Sequence, residues 1–356
     1  MTSSLPLVAA VPLVTGLLSA SVIGAPATEH RQQAGNTSAR PAERVQPAGT
    51  AASHRPAAAP GPADVVEHVA ADAASEQRRV LDYWTPRRMA AAVPLDPLVP
   101  LTRVVGRVLD PLGRAGSAAG ARRVATAART AGARWTAGGL VSRTTGRVFL
   151  TLGGSDFVCS ASSVKSANRD LVVTAGHCVK DGTGAWADNW TFVPGYDRGR
   201  RPYGQFTARR MFVAGPWART GDDSFDLGMV AVGADKNGKH LTDVVGGQDI
   251  AFGTPRGRQA HGFGFPADRP YDGEHLVYCA GPLHDDPNGQ TSDQGLRCDM
   301  TAGSSGGPWL SGFDAVTGRG TIISVSSFKY SDDRHSMYGP YFGDSARELY
   351  TTAHTS

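Results

Sequence analysis

The chain has 356 residues, with 36 Lys or Arg and 32 Asp or Glu, which gives a formal net charge of +4. The surplus lies in residues 28–138, which contain 15 arginines, no lysine and 9 acidic residues, whereas the remaining residues contain 21 basic and 23 acidic ones. A nucleic-acid-binding protein would carry its basic residues on the folded domain. The charge balance therefore argues against a nucleic acid partner.

The N-terminal stretch predicts export. Residues 5–27 are apolar and end in Ala25-Pro26-Ala27, which is typical of a signal-peptide cleavage site. We therefore predict a signal peptide over residues 1–27 and a secreted, extracellular product with no stable membrane span after cleavage. No Lys or Arg precedes the apolar stretch, and its length is near the minimum for a transmembrane helix. An uncleaved anchor remains the alternative.

Residues 28–137 are predicted to be a pro-segment and linker, so that the product is a zymogen with its own pro-segment as an intramolecular partner. The region before Asp64 is rich in Ala, Pro, Gly, Gln and Arg, a composition typical of disorder. From Asp64 to Ala92, apolar residues are interspersed with charges, which allows partly helical structure. Pro86 would end a helix before it, because the residue before a proline is pushed out of the α region.

Residues 95–134 are interpreted as a basic, mobile connector. Their short apolar pieces alternate with Pro, Gly and Arg, and such a connector is a natural site of proteolytic cleavage. We expect the mature chain to start between Arg123 and Arg143.

Residues 138–356 have the pattern of an all-β domain, with short apolar runs separated by glycine turns. A final run with Ala346, Leu349, Tyr350 and Ala353 at helical spacing predicts a C-terminal helix. The predicted strands cover residues 146–152, 157–164, 171–175, 190–194, 207–213, 227–232, 259–266, 276–280, 308–310 and 320–327.

Three motifs in this domain carry candidate catalytic groups. Ser305 lies between glycines in Gly303-Ser304-Ser305-Gly306-Gly307, His177 follows a strand-forming run in Thr174-Ala175-Gly176-His177-Cys178, and Asp226 begins an apolar strand. A serine hydroxyl becomes a nucleophile when a histidine takes its proton and a carboxylate orients that histidine. Asp222 and Asp223 compete for the acid role, but only Asp226 directly precedes the strand.

The sequences around these residues, and their order, resemble those of the trypsin-like (chymotrypsin-fold) serine peptidases, in particular the secreted bacterial, actinobacterial-type branch with a pro-segment. The resemblance covers roughly residues 138–356. It implies two antiparallel six-stranded β-barrels with the site between them and a C-terminal helix. It also implies a His177-Asp226-Ser305 triad and an oxyanion hole formed by the backbone N–H groups of Gly303 and Ser305.

The specificity residues are less well defined. Asp299 lies six residues before Ser305, the offset of the pocket aspartate in trypsin, which would predict cleavage after Arg or Lys; a purely structural role is equally compatible. Ser326 or Ser324 is expected to hydrogen-bond the substrate backbone. Ser304 replaces the aspartate that in trypsin pairs with the new N-terminus, so we expect cleavage to activate by removing a cover.

The four cysteines, Cys159, Cys178, Cys279 and Cys298, permit three disulfide connectivities, and the sequence alone does not choose among them. We expect Cys159–Cys178, which trypsin-like enzymes also form, together with Cys279–Cys298. No paired-ligand spacing indicates a metal, and no cofactor is expected.

The sequence therefore predicts a secreted serine endopeptidase that acts on polypeptides. The alternatives are a catalytically silent trypsin-like binding module and an esterase that uses the same triad.

Overall fold

The computed structural model describes residues 64–95 and 128–356. The predicted signal peptide and the predicted disordered part of the pro-segment lie outside the described residues. In the part of the chain that is described, no helix is both long and apolar enough to cross a membrane.

The described front of the chain contains β1 (Val65–Val69), α1 (Ala74–Tyr83), α2 (Pro86–Ala91) and β2 (Val93–Pro94). As the sequence predicted, the first helix ends before Pro86. The Thr85 side chain accepts the Arg88 N–H at the start of α2. Pro86 is the first residue of this helix, a position where a backbone N–H would have no acceptor within the helix, so proline is tolerated there. The two flanking strands, by contrast, were not predicted.

The middle of the chain forms a closed barrel. After β3 (Arg129–Arg134), which pairs with the second sheet described below, this region contains α3 (Gly139–Thr144), β4 (Thr145–Leu152), β5 (Ser155–Ser163), β6 (Leu171–Thr174), β7 (Asp188–Pro194), β8 (Phe206–Ala214), α4 (Gly215–Thr220) and β9 (Gly228–Val232). Antiparallel pairing runs β7-β4-β5-β6-β9-β8, and β8 also pairs with β7, so six strands close without free edges. Leu150, Phe157, Trp190 and Phe206 belong to its buried core. The first of the two predicted six-stranded antiparallel barrels is confirmed.

The C-terminal part forms a second sheet and a helix. Its elements are α5 (Leu241–Val245), β10 (Asp249–Ile250), β11 (Gln259–Gly264), β12 (Val277–Asp285), β13 (Gln294–Arg297), β14 (Pro308–Asp314), β15 (Arg319–Val325), β16 (Ser336–Gly339) and α6 (Asp344–Ala353). The strand order is β10-β15-β14-β11-β12-β13-β16. Beyond β15, Phe328 bridges to Tyr338 on β16, which links the two ends of the sheet. The predicted C-terminal helix is present, with Leu349 fully buried.

Strand β3 differs from the expectation of a mobile connector. It pairs with β12, and the Trp135 ring that follows it packs edge-on against Phe263, Tyr278 and Phe313 at centroid distances of 5.5, 5.3 and 5.4 Å. Residues 129–135 are therefore part of the second sheet and its core.

Candidate active site

His177 lies in the loop that follows β6, and a disulfide fixes this loop to β5. The disulfide joins Cys159 to Cys178, as expected. Gly176 allows the close approach of the neighbouring groups, because a Cβ at that position would lie 2.9 Å from Asp226 Oδ1 and 3.0 Å from the Trp217 ring. The His177 residue is only 4% exposed.

Asp226 follows a single 3-10 turn (Asp223–Phe225) and precedes β9. Its Oδ1 accepts the His177 backbone N–H at 2.7 Å, and its Oδ2 lies 2.7 Å from His177 Nδ1. Two bonds to one residue fix both the loop and the ring orientation.

The environment keeps this carboxylate ionised. Burial alone would raise the pKa of Asp226, but the adjacent His177 and the hydrogen bonds from His177 and Ser327 outweigh burial and hold the pKa below its usual value. The competing aspartates lie in different surroundings. Asp222 accepts the Ser224 N–H at 3.0 Å, while burial and the charge of Asp226 raise the pKa of Asp223 to about 6.

Ser305 lies in the turn that enters β14, and this turn packs against the barrel. The Ser305 carbonyl accepts the Ser160 N–H of β5 at 2.7 Å and lies 3.8 Å from Cys178 Sγ. Gly306 has φ +80°, and a Cβ there would lie 2.0 Å from Thr174 Oγ1. Ser305 therefore lies at the junction between the barrel and the second sheet, against the loop that carries His177.

The backbone beside Ser305 presents unused donors. The Gly303 carbonyl accepts the Ser160 hydroxyl at 2.8 Å, while the Ser304 hydroxyl donates to the Thr301 carbonyl at 2.6 Å. Within residues 64–95 and 128–356, the N–H groups of Gly303 and Ser305 donate to no acceptor.

Ser327, which the sequence did not single out, follows β15 and donates a hydrogen bond to Asp226 Oδ2. Ser326 bonds to other groups. Its hydroxyl accepts the Trp309 indole N–H at 3.0 Å, its N–H donates to the Gly307 carbonyl, and its carbonyl accepts the Gly306 N–H. Ser324 donates to the Pro340 carbonyl at 2.9 Å. The two serines expected to contact substrate are thus engaged within the protein. The sequence could not identify Ser327, because several serines follow one another here and Asp226, to which it bonds, lies about 100 residues away in the chain.

Asp299 accepts hydrogen bonds from β3 and from the loop between β11 and β12. Its Oδ1 receives the Gly132 N–H at 2.7 Å and the Tyr271 hydroxyl at 2.6 Å. Burial, and then the bond to Asp299, raises the pKa of Tyr271 well above its usual value. Nearby, the Lys329 ammonium donates to the carbonyl of Cys298, and burial lowers the pKa of Lys329 to about 8.

The second disulfide, Cys279–Cys298, is also present, so both expected pairings are confirmed. In the described ranges, the ligand atoms of Cys159, His177 and Cys178 lie within 4.8 Å of one another, a composition suited to a metal. Both sulfurs belong to one disulfide, however, and metal binding by cysteine requires the free thiolate. This cluster does not fit a metal ion.

No protein-family model matches the chain. Among solved structures, the chain is similar to the protease Anisep from Arthrobacter nicotinovorans, with 42% identity and a TM-score of 0.58 over 60% of this chain and 96% of Anisep. It is also similar to the thermostable serine protease AL20 from an extremophilic microorganism, with 39% identity and a TM-score of 0.58 over 61% of this chain and 99% of AL20. The chain belongs to the chymotrypsin-fold serine peptidases.

A more distant solved structure agrees with the fold of this peptidase. A Glu endopeptidase structure matches 63% of this chain and 97% of its own with a TM-score of 0.51, and at 19% identity it supports the fold alone. A curated relative, named an extracellular metalloprotease, from Bacillus subtilis (strain 168), is 29% identical over 106 residues. That match spans 29% of this chain and 33% of the length of the relative.

Proposed function

We propose that this peptidase is a secreted serine endopeptidase that hydrolyses peptide bonds through an acyl-enzyme. Ser305 is the nucleophile, His177 the general base and acid, and Asp226 the group that orients His177. The observation that carries this proposal is the pair of 2.7 Å contacts from Asp226 to the His177 N–H and Nδ1, in a loop packed against the Ser305 turn.

The chemistry follows from these positions. Ser305 Oγ attacks the carbonyl carbon of the substrate while His177 Nε2 takes the hydroxyl proton. The negative charge that develops on the carbonyl oxygen is stabilised by the N–H groups of Gly303 and Ser305, which have no acceptor among the described residues. His177 then gives the proton to the leaving amine, which leaves the acyl-enzyme. A water molecule, deprotonated by His177 in the same way, attacks the acyl carbon and releases the carboxylic acid product.

Secretion is part of the same proposal. Residues 1–27 act as the signal peptide, and both disulfides form in the oxidising compartment to which it leads. Ser304 cannot form the ion pair that an aspartate would form with a new N-terminus. Its hydroxyl instead bonds the Thr301 carbonyl, which supports activation that does not use such an ion pair.

The test is to express residues 28–356 in an oxidising compartment and measure reaction with a fluorophosphonate probe and hydrolysis of a peptide library. Ser305→Ala should abolish labelling and lower kcat by at least about 1,000-fold, because removal of a triad member leaves only binding and oxyanion stabilisation. The library also reports the residue preferred before the cleaved bond, which bears on Asp299.

Ser304→Ala is the matched control and should keep labelling, since it removes a neighbouring hydroxyl that, in the part of the chain that is described, bonds only the Thr301 carbonyl of the same turn. A folded, disulfide-bonded and proteolytically processed wild type that does not label would overturn the proposal in favour of a silent binding module. Labelling with hydrolysis of esters but not of peptides would favour an esterase.

A further inference from the structure

Residues 64–95, here called the front strap, are bound to two separate strands of the barrel. At one end, β1 pairs with residues 210–214 of β8, from Val65↔Ala214 to Val69↔Arg210. Strand β7 pairs with β8 only at residues 206 and 207, so β1 continues along β8 where β7 no longer pairs with it. At the other end β2 pairs with β5. The strap therefore adds two strands to the sheet that forms the barrel.

The middle of the front strap is held by side chains. Trp84 is 1% exposed, its ring lies 5.5 Å from that of Phe149, and its indole N–H donates to the Asn189 carbonyl. The Tyr83 hydroxyl donates to Asp156 Oδ1 at 2.7 Å. A fully buried tryptophan with a satisfied N–H is typical of the residues that dominate stable interfaces.

The Asp64 end of the strap holds helix α4. The Asp64 carbonyl accepts the Gly215 N–H at 2.7 Å, and the two carboxylate oxygens accept from the Arg219 guanidinium at 2.7 and 2.5 Å. This paired arrangement fixes direction as well as distance. It therefore orients α4 relative to β1.

Helix α4 lies against the candidate catalytic loop and leads to Asp226. Its Trp217 donates the indole N–H to the Lys180 carbonyl at 3.0 Å and packs on Gly176, directly before His177. The strap also reaches this loop elsewhere, because His68 stacks on Trp186 at 5.0 Å, and Trp186 bridges to Lys180. The strap thus supports the part of the barrel that carries the base and the acid.

We propose that the front strap is a positioning element that stays bound as a separate chain after cleavage within residues 96–127 and is required for full activity. It does not cover the nucleophile: in the described ranges, no hydrogen bond, ion pair or ring contact joins the strap to Ser305 or Gly303. The share of this chain that the solved Anisep and AL20 chains match, 60–61%, is smaller than the share described, so some described residues are not matched by those structures.

Retention is tested on the full chain from residue 28, with a specific endoprotease site inserted between residues 110 and 111. After complete cleavage, the two fragments should co-elute on gel filtration at micromolar concentration and separate only in urea. Elution of the strap fragment on its own in native buffer overturns retention. This measurement does not depend on the proposed function.

The positioning role is tested by Asp64→Asn in the full chain, with Glu67→Gln as the matched control. Glu67 lies in β1, three residues after Asp64, and forms an ion pair with Arg210 of β8 at 2.6 Å. It does not bond to α4. Asp64→Asn should lower kcat and the rate of fluorophosphonate labelling about 3- to 5-fold with little change in KM, the upper end of the scale for one solvent-exposed ion pair, and Asp64→Glu should restore most of the loss. Glu67→Gln should stay within about twofold of wild type.

These activity arms rest on the proposed function. Equal effects of Asp64→Asn and Glu67→Gln, or higher activity in Asp64→Asn as for an inhibitory segment, overturn the positioning role. Thermal unfolding of each variant ensures that every rate is measured on folded protein.

Discussion

Ser327 donates to Asp226 Oδ2, the same oxygen that faces His177 Nδ1, and this single hydroxyl is the first place to test the site. Ser327→Ala removes a hydrogen bond to a buried charge, an interaction that contributes about 1.5–3 kcal/mol. We expect kcat to fall about 10-fold while KM changes little, because the carboxylate that orients the imidazole becomes less fixed. Steady-state kinetics on a peptide substrate checks this.

Ser326→Ala is the neighbouring control. Its hydroxyl bonds Trp309 and not Asp226, so it should reduce stability with a smaller change in kcat. An equal loss of kcat in both variants would contradict the role given to Ser327.

Asp293 is a buried residue with an unusual titration. It is 1% exposed, and within residues 64–95 and 128–356 neither carboxylate oxygen has a hydrogen-bond partner. Burial, followed by the negative charges of Asp226 and Asp223, raises the pKa of Asp293 to about 8. The pKa of an aspartate in the unfolded chain is about 3.9.

Between these two pH values the folded chain holds a proton that the unfolded chain has released, so the free energy of unfolding falls as pH rises from about 4 to about 8 and then levels off. Asp293→Asn removes this dependence. Its gain in stability over wild type should grow with pH by up to about 1.4 kcal/mol per unit in that window. Urea unfolding at pH 5, 6.5 and 8 measures it, and a gain that is the same at all three values would refute it.

At the scale of elements, β3 constrains where the mature chain can begin. The strand pairs with β12, bonds Asp299 through Gly132, and positions Trp135 in the core. Cleavage after Arg134 or Arg143 would remove these contacts. We therefore expect the mature N-terminus between Arg123 and Arg129, to be read by N-terminal sequencing of active enzyme; a start at Gly138 or later would contradict this.

The same strand shows what limits prediction of elements from sequence. Strands such as β4 and β9 were predicted because their apolar residues are continuous and bounded by glycine turns. β3, β13 and β16 have four to six residues and include glycine, so local propensity does not mark them. They are strands because β12 and its neighbours offer partners, which no local pattern reveals.

At the scale of the whole molecule, the three candidate catalytic residues were predicted because each lies in a local motif. The contacts that assemble them were not predicted, because their partners are distant in the chain. Ser160 is the clearest case. Its hydroxyl donates to the Gly303 carbonyl and accepts the Phe265 N–H, both at 2.8 Å, while its own N–H bonds the Ser305 carbonyl.

Ser160 therefore joins the barrel to the second sheet beside the candidate nucleophile, and Ser160→Ala tests how far that junction sets activity. The change leaves the buried Phe265 N–H without its acceptor, at a cost of about 1–3 kcal/mol in unfolding free energy. It also releases the Gly303 peptide, so kcat should fall more than the stability loss alone explains. Ser162→Ala, which removes a buried hydroxyl that among the described residues bonds only the adjacent Ser163 carbonyl, should leave kcat near wild type. If Ser160→Ala lost stability but kept full kcat, the contact would hold the two halves of the fold together without positioning the Ser305 turn.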